Sequence, residues 1–404
     1  MNGIFHLVMK SLACTAIFFA VIVRAGAQTP AAGRVHINLS SPVDYQVVQR
    51  ADRSEGKLII AGSIVSEGKS GLLPQILQAR LTGKSAAGDL PGLWQELPFD
   101  PQVSAFRGSL KVPAGGWYRL EIRALWTNDV IAATADVDHV GVGDVFVIAG
   151  QSNSANYGEQ RQTNVTGLVA AYSGTNWQMA ADPEPGAGGT KGSFMALFGD
   201  AMVNQFHVPI GIVAMGIGST SVREWLPAGT RLSNLPPLTR NVVTVGPGEW
   251  ESAGIIFSNF TARMKSFGPQ GFRAVLWHQG ESDGKQANPA RSLPGDLYHQ
   301  DIKQLILDSR QVLGWDAPWF VAQVSYHNIN DVSSPDIRAA QKALWDEGIA
   351  LAGPDTDTLT GLMREKHGAG IHLSDQGLHE HARLWAKKVG PWLEQQLDRP
   401  PSSP

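Results

Sequence analysis

The stretch that decides the fold is DVFVIAGQSN, residues 144–153. Its apolar residues run without a break from Val145 to Ala149 and then give way to small and polar residues. An apolar run of this length is typical of a strand that is buried on both faces. Similar runs follow as PIGIVAMGIGST (209–220), FRAVLWHQGES (272–282) and PWFVAQVSYH (318–327).

Helix-like segments separate these apolar runs. They cover Ser193–Gln205, Ala253–Phe267 and Leu297–Leu313, and a last amphipathic segment follows Ser374. Buried strands that alternate with helices form a parallel sheet with helices on both faces. The sequence therefore predicts an α/β fold, a three-layer flavodoxin-like domain, for residues 141–396. Ser374 is the expected N-cap of the last helix. The apolar face of that helix is formed by Leu378, Ala382, Trp385, Val389 and Leu393.

Residues 34–140 have a different pattern. Short apolar, β-branched stretches such as KLIIAGSI (57–64) and WYRLEIRAL (117–125) alternate with turn residues. Strands at this spacing predict an antiparallel β-sandwich ahead of the α/β domain. We expect Trp117, Leu120 and Ile122 to face its core. Residues 397–404, which are rich in proline and serine, are predicted to form a disordered tail.

The first 27 residues are typical of a secretory signal peptide. Lys10 precedes the uncharged apolar run SLACTAIFFAVIV (11–23), and the small residues Ala25-Gly26-Ala27 follow it. The run is shorter than the roughly 20 residues of a membrane span, and an uncleaved anchor is the alternative. The only cysteine, Cys14, lies in this segment. A mature chain without disulfides fits a bacterial periplasmic or secreted protein, with no membrane contact after cleavage.

Charge and metal-ligand patterns argue against two classes of partner. The 33 basic and 36 acidic residues are dispersed and give a net charge of −3, so we expect no nucleic-acid partner. No H-E-x-x-H motif occurs, and His379 and His381 are too close in sequence to share a helix face. We expect those two histidines at the surface, and we expect no metal and no organic cofactor.

Polar residues gather at three predicted strand ends and before the last helix. In open α/β sheets, functional sites form at the carboxyl ends of the strands. A serine at the end of a strand can expose its hydroxyl there, although a turn serine that caps the next helix is the alternative. The four blocks are Gly150-Gln151-Ser152-Asn153, Gly216-Ile217-Gly218-Ser219-Thr220, Trp277-His278-Gln279-Gly280-Glu281-Ser282-Asp283 and Gly370-Ile371-His372-Leu373-Ser374.

These blocks contain what acyl transfer requires. A serine hydroxyl is a weak nucleophile without a base, and His372 would take the proton of Ser152 and later pass it to the leaving alcohol. The oxyanion also needs hydrogen-bond donors. The candidates are the N–H groups of Ser152 and Gly218 and the side-chain amide of Gln279.

The order of the blocks resembles the SGNH hydrolase superfamily, and most closely its sialate O-acetylesterase and carbohydrate acetylesterase branch. GQSN, GIGST, WHQGESD and IHLS occur in the family's order, and REWLP (223–227) and GPDTDT (353–358) are also similar to members of the branch. The resemblance covers about residues 144–395. It implies that Ser152 is the nucleophile, that His372 is the base, and that Gly218 and Gln279 contribute to the oxyanion hole.

One position departs from the family pattern. The family usually has an aspartate three residues before the histidine, where this chain has Ala369. Either His372 acts in a dyad or another group orients its ring. Glu281 is the first candidate, Asp283 is the second, and a backbone carbonyl is the third. Without an orienting partner, the imidazole can hold the wrong tautomer and activity can be reduced or lost.

Further side chains near the strand ends are candidates for substrate binding. Trp277 and Tyr326 would stack on a sugar, and Arg223 would meet an acidic group, although core packing and ion pairs are the commoner roles of such residues.

The sequence thus predicts a serine esterase that removes O-acetyl groups from a carbohydrate, either sialic acid or a polysaccharide. Two alternatives stay open. The first is a carbohydrate-binding protein on a degenerate esterase scaffold, which Ala369 favours. The second is an esterase for a non-sugar ester.

Overall fold

A computed structural model of the chain describes residues 34–67, 73–85, 87–127 and 130–398. The signal peptide predicted for residues 1–27 lies outside the described residues, as do residues 399–404 of the predicted tail. Leu397 of that predicted tail is the last residue of a helix. Within the described ranges, no helix is long and apolar enough to cross a membrane.

The N-terminal region consists of strands, as the sequence predicts. Strand β3 pairs with β1 and β8 in one antiparallel sheet, while β9 pairs antiparallel with β4 and with β10 in another. These strands are β1 Val35–Ser41, β2 Gln46–Gln49, β3 Glu55–Ser66, β4 Ile76–Thr82, β5 Lys84–Ser85, β6 Gly88–Asp89, β7 Gln95–Glu96, β8 Ala105–Pro113, β9 Gly115–Thr127 and β10 Val130–Gly150.

Both sheets contribute side chains to one hydrophobic cluster. Leu58 of β3 and Leu120 and Ile122 of β9 are fully buried in it, because residues two apart on a strand share a face. Trp117 is a correction to the predicted core. It is only partly buried, packs against a different cluster and donates from Nε1 to the carbonyl of Gly167 (2.8 Å).

Strand β10 connects the two parts of the chain. Its first half pairs with β9, and its second half lies parallel to β13 (Ile210–Ala214) and β17 (Ala274–His278). Every residue from Val140 to Gly150 is buried, as the apolar run predicts. The predicted boundary near residue 140 therefore falls within one strand, and no separate linker joins the two parts.

The C-terminal part is built on a sheet in the order β12-β11-β13-β10-β17-β18-β19, in which all strands but β12 are parallel. The mixed α/β fold class is confirmed. Strands β14 to β16 form a separate small antiparallel sheet. The strands after β10 are β11 Val169–Tyr172, β12 Trp177–Met179, β13 Ile210–Ala214, β14 Arg231–Leu232, β15 Val242–Gly246, β16 Glu249–Ser252, β17 Ala274–His278, β18 Trp319–Gln323 and β19 Leu351–Asp355.

Alternate residues of the central strands bury against different helices. Val145 and Val147 share a cluster with α2, α3 and α4, while Phe146 and Ile148 share one with α1 and α5. Helix α4 is absent from the sequence prediction, since its apolar face is only three residues long: Ile337, Ala340 and Leu344. The helices are α1 Met195–Phe206, α2 Ile255–Lys265, α3 Gly295–Leu313, α4 Pro335–Asp346 and α5 Asp375–Leu397.

Helix α5 confirms the prediction for the last helix in detail. The Ser374 hydroxyl caps it by accepting from the N–H of Gly377 (3.2 Å). The predicted apolar face of five residues is buried. His381 is a correction, because it is fully buried against Phe194 and Trp385, whereas His379 is exposed as expected.

Candidate active site

The turn that carries Ser152 follows directly from strand β10. Gly150 has φ +129°, and a Cβ there would lie 2.1 Å from the carbonyl oxygen of His278 on the neighbouring strand. Only glycine combines this conformation with such a close approach. The chain then enters a single 3₁₀ turn, Ser152–Ser154, in which the Ala155 N–H donates to the Ser152 carbonyl (3.0 Å). Ser152 is therefore placed at the carboxyl end of the central strand, as predicted.

His372 has a carboxylate partner that was not among the predicted candidates, Glu365. Its Nδ1 lies 3.0 Å from Oε1 of Glu365, and its backbone N–H points to the same oxygen (3.4 Å). The Glu365 N–H in turn donates to the His372 carbonyl (2.9 Å). Burial lowers the pKa of His372, and the Glu365 carboxylate opposes that shift. The imidazole is therefore neutral at neutral pH, which is the form that can accept a proton.

Asn153 connects the serine turn to the histidine segment. Its Nδ2 donates to the carbonyl of Ile371 (3.3 Å) and to Oε1 of Glu281 (3.1 Å). Tyr157 stacks on the His372 ring, with 5.4 Å between the ring centroids. Within the described residues, no hydrogen bond joins the Ser152 hydroxyl to His372. Such bonds are often long in structures without substrate and tighten when substrate binds.

Gly218 lies against Tyr157. A Cβ at position 218 would be 2.5 Å from the Tyr157 hydroxyl oxygen, so a larger residue would displace the ring. Arg240 donates from Nη2 to the Gly218 carbonyl (2.6 Å). In the described part of the chain, neither the Gly218 N–H nor the Ser152 N–H donates a hydrogen bond. Both N–H groups therefore lack a protein acceptor within the residues that this structure describes.

Gln279 is a correction to the predicted oxyanion hole. Its side chain is fully buried, and its amide nitrogen donates to Asp283 Oδ2 (2.5 Å) and the Thr220 carbonyl (3.2 Å). The Tyr298 hydroxyl donates to its Oε1 (3.2 Å). Because the hydrogen bonds to Asp283 and Thr220 use both amide protons, the Gln279 side chain holds the strand ends together. It has no donor left for substrate.

The first two candidates for the group that orients His372 are also corrected. Glu281 accepts from Asn153 and lies 4.0 Å from Nδ1 of His278, and burial raises its pKa to about 7. Asp283 is fully buried and accepts from Ser221, Val222 and Arg223. Both carboxylates therefore contact groups other than His372, and Glu365 occupies the place that they were expected to fill.

The three predicted substrate-binding side chains are buried. Trp277 is 0% exposed and packs edge-on against Trp225. Arg223 is also 0% exposed and forms an ion pair with Asp283. Tyr326 is 2% exposed and lies beneath the guanidinium of Arg364, 3.8 Å from the ring centroid. Their large side chains fill the space between strands and helices, so none of them can contact a sugar in this structure.

Glu365 was not predicted, because the candidate carboxylates were taken from the strand-end block 277–283 and the segment before His372 was compared only at the family position, Ala369. A carboxylate within ten residues of His372, across a turn that contains glycines, was the available signal. Asn153 belongs to the strand-end block 150–153, but the sequence pattern alone does not indicate a role for it. In the described part of the chain, no group of three histidine, aspartate or glutamate residues is placed to hold a metal ion.

The sequence of the α/β part matches a family model. Residues 142–389, more than half of the chain, match the family described as carbohydrate esterase, sialic acid-specific acetylesterase. The chain belongs to this family. It is therefore a carboxylic ester hydrolase of the carbohydrate acetylesterase type. No protein of curated function matches the sequence significantly.

Solved structures similar to this acetylesterase are distant in sequence. XAC1771, a carbohydrate acetylesterase from Xanthomonas citri, has a TM-score of 0.50 at 16% identity, over 86% of this chain and 74% of that one. A protein from Arabidopsis thaliana has a TM-score of 0.43 at 18% identity, over 63% and 98%. NanS has a TM-score of 0.42 at 15% identity, over 63% and 97%. The likeness to XAC1771 supports the fold of the acetylesterase.

Proposed function

We propose that this acetylesterase removes O-acetyl groups from a carbohydrate through an acetyl-enzyme on Ser152. The observation that carries the proposal is the contact between His372 and Glu365 in the segment that Asn153 connects to the Ser152 turn. A serine, a neutral histidine and a buried carboxylate are the groups that an acyl-transfer triad requires.

In the first half of the reaction, the Ser152 oxygen attacks the carbonyl carbon of the acetyl group. His372 takes the hydroxyl proton at Nε2, and Glu365 accepts a hydrogen bond from Nδ1–H. This contact holds the tautomer whose Nε2 is free and stabilises the imidazolium that forms. The bond between the acetyl carbon and the sugar oxygen then breaks. His372 returns the proton to that oxygen, and the deacetylated sugar leaves.

In the second half, water attacks the acetyl-enzyme. His372 takes a proton from the water, the bond between the acetyl carbon and the Ser152 oxygen breaks, and the proton returns to the serine. Acetate is released. In both halves negative charge develops on the acetyl carbonyl oxygen, and the N–H groups of Ser152 and Gly218 are the donors that we assign to it.

The substrate is proposed to be an acetylated sugar, with sialic acid as the first candidate because the family description names it. An acetylated polysaccharide is the second candidate. Trp277, Arg223 and Tyr326 are buried and are withdrawn as sugar-binding residues. Tyr157 and Lys191 take their place in the proposal, because Tyr157 stacks on His372 and Lys191 lies 4.0 Å from Glu365.

The carbohydrate-binding alternative depended on Ala369. Glu365 now provides the carboxylate that Ala369 lacks, so no observation favours a degenerate scaffold.

We also infer that residues 1–27 direct export to the periplasm or medium. Residues 34–140 are inferred to form a β-sandwich domain, and residues 141–396 a three-layer SGNH-type domain.

The test compares the mature protein with Ser152→Ala. We expect the mature protein to release acetate from O-acetylated sialic acid and p-nitrophenol from p-nitrophenyl acetate, and the variant to do neither. A phosphonate ester should add its mass to the peptide that contains Ser152. Ser154→Ala is the matched control, because Ser154 lies in the same turn and is fully buried. Equal turnover by the mature protein and Ser152→Ala would exclude Ser152 as the nucleophile.

A further inference from the structure

A cavity of about 690 Å³ lies between the N-terminal strands and the α/β part. Its volume is within the range of about 300–1,000 Å³ typical of small-ligand sites. One wall is formed by Lys57 and Ile59 of β3 and Arg107 of β8, while Tyr172, Trp177 and Phe267 come from the α/β part. None of the residues assigned above to the reaction lines this cavity, so it is separate from the candidate active site.

The charged side chains that line the cavity are all basic. Lys57 and Arg107 are exposed, and in the described residues neither forms an ion pair. No aspartate or glutamate of the described chain lines the cavity. On the same face of β8, Lys111 is by contrast paired with Glu55 (3.1 Å). Two unpaired cations in a lining that contains no carboxylate favour a ligand that carries negative charge.

The opposite wall is aromatic. Tyr172 lies 5.2 Å from both Trp177 and Phe267, measured between ring centroids. Polar side chains complete the lining: in the described part of the chain, those of Ser40 and Gln270 make no hydrogen bond with another residue. Aromatic rings together with a few free polar groups are typical of small-ligand sites.

We propose that this cavity is a second, non-catalytic binding site for an anionic carbohydrate. Carboxylates of the sugar chain contact Lys57 and Arg107, and the sugar rings lie along the half-buried rings of Tyr172 and Phe267. The site would hold a polymeric substrate on the protein while the active site acts on its acetyl groups.

The test measures binding of tetragalacturonate, which carries carboxylates and no ester, to the full mature protein by calorimetry. We expect measurable affinity, which the double variant Lys57→Ala, Arg107→Ala lowers about ten-fold or more. Lys342→Ala is the matched control, because that ammonium pairs with Asp346 on α4 and does not line the cavity, and it should leave affinity unchanged. Turnover of p-nitrophenyl acetate should be the same in all three proteins, which shows that the fold is intact.

Three outcomes of the binding measurements would overturn the proposal. They are no binding at millimolar ligand, equal affinity of the double variant, and equal affinity for a neutral galactose tetrasaccharide. Competitive inhibition of p-nitrophenyl acetate turnover by tetragalacturonate would place the ligand in the active site and would also overturn it. These readouts do not depend on whether Ser152 is the nucleophile, so a failure here is distinguishable from a failure of the proposed reaction.

Discussion

Glu365 and His372 are joined through both side chain and backbone. Oε1 of Glu365 lies 3.0 Å from Nδ1 of His372, and the Glu365 N–H donates to the His372 carbonyl (2.9 Å). A bridge between Arg364 and Leu373 brings the two segments side by side. At Gly370 a Cβ would be 2.1 Å from Cγ of Glu365, so the turn leaves room for the carboxylate only because residue 370 is glycine.

Glu365→Gln should lower kcat by about 10²–10⁴-fold with little change in KM, because the amide can hold Nδ1 in the wrong tautomer and cannot stabilise the imidazolium. Steady-state kinetics with p-nitrophenyl acetate measure the effect. Glu380→Gln is the control, since that carboxylate pairs with Arg383 on the exposed surface of α5. Unchanged kcat in Glu365→Gln would remove Glu365 from the mechanism.

Ala369→Asp restores the aspartate of the family pattern. We expect it to change kcat by less than about two-fold, as exposed substitutions usually have small effects and Nδ1 of His372 already has a partner. The same kinetic assay tests this. A gain of ten-fold or more would show that Glu365 orients the histidine poorly and that the family position is better.

The fall of kcat/KM at acid pH should follow the protonation of His372. Since burial lowers the pKa of this group, kcat/KM should rise with pH through a midpoint below the ordinary histidine value of about 6.5 and stay level at neutral pH. Glu365 raises the pKa of His372 against that shift. The midpoint of Glu365→Gln should therefore lie lower still. A midpoint above 7, or one that rises in the variant, would contradict the assignment.

Asn153→Ala should lower kcat by about ten-fold or more, because a small misplacement of catalytic groups has large effects on rate. The variant loses the hydrogen bond to the Ile371 carbonyl that holds the histidine segment. Asn164→Ala is a matched control, since its amide donates to the Ala180 carbonyl (2.8 Å) and it is not part of the assigned site. Thermal melting distinguishes lost activity from lost folding. Equal kcat of the two variants would refute the positioning role.

Glu184 should make the protein less stable as pH rises. Both carboxyl oxygens are buried without a partner among the described residues, and burial, together with the charge of Asp182, raises the pKa of Glu184 to about 8. In the unfolded chain the group ionises near 4.3. The stability it contributes is therefore present at low pH and is lost as pH rises to about 8.

Glu184→Gln removes this dependence. Its free energy of unfolding should exceed that of the parent protein by a few kcal/mol at pH 8 and should converge with it near pH 4.5. Urea unfolding at the two pH values measures the difference. Glu159→Gln, a change at an exposed carboxylate, should show no such trend. A constant difference between Glu184→Gln and the parent at both pH values would show that Glu184 is not the responsible group.

The residues at the strand ends were predictable, because the pattern that indicates them lies in residues next to them in the chain. The uninterrupted apolar run Val145–Ala149 predicts a strand buried on both faces, and the residues that follow it are at its carboxyl end in the structure. The same reasoning located Gly218 and the 277–283 block. Substrate-binding residues were not predictable in this way, since Trp277 and Arg223 have the same local pattern whether they line a cleft or fill the core.

By itself, the sequence determined the strand and helix alternation, the placement of Ser152 and Gly218 at strand ends, and the cap and buried face of the last helix. These features depend on residues that are near one another in the chain. Only the tertiary structure decided which carboxylate contacts His372 and which amides are free. Glu365 is only seven residues from His372, but their contact depends on the conformation of the turn between them. Other hydrogen-bond partners belong to segments that are far apart in sequence, such as Asn153 and Ile371 or Gln279 and Thr220. Burial then requires each of those polar groups to use the partner that lies within reach.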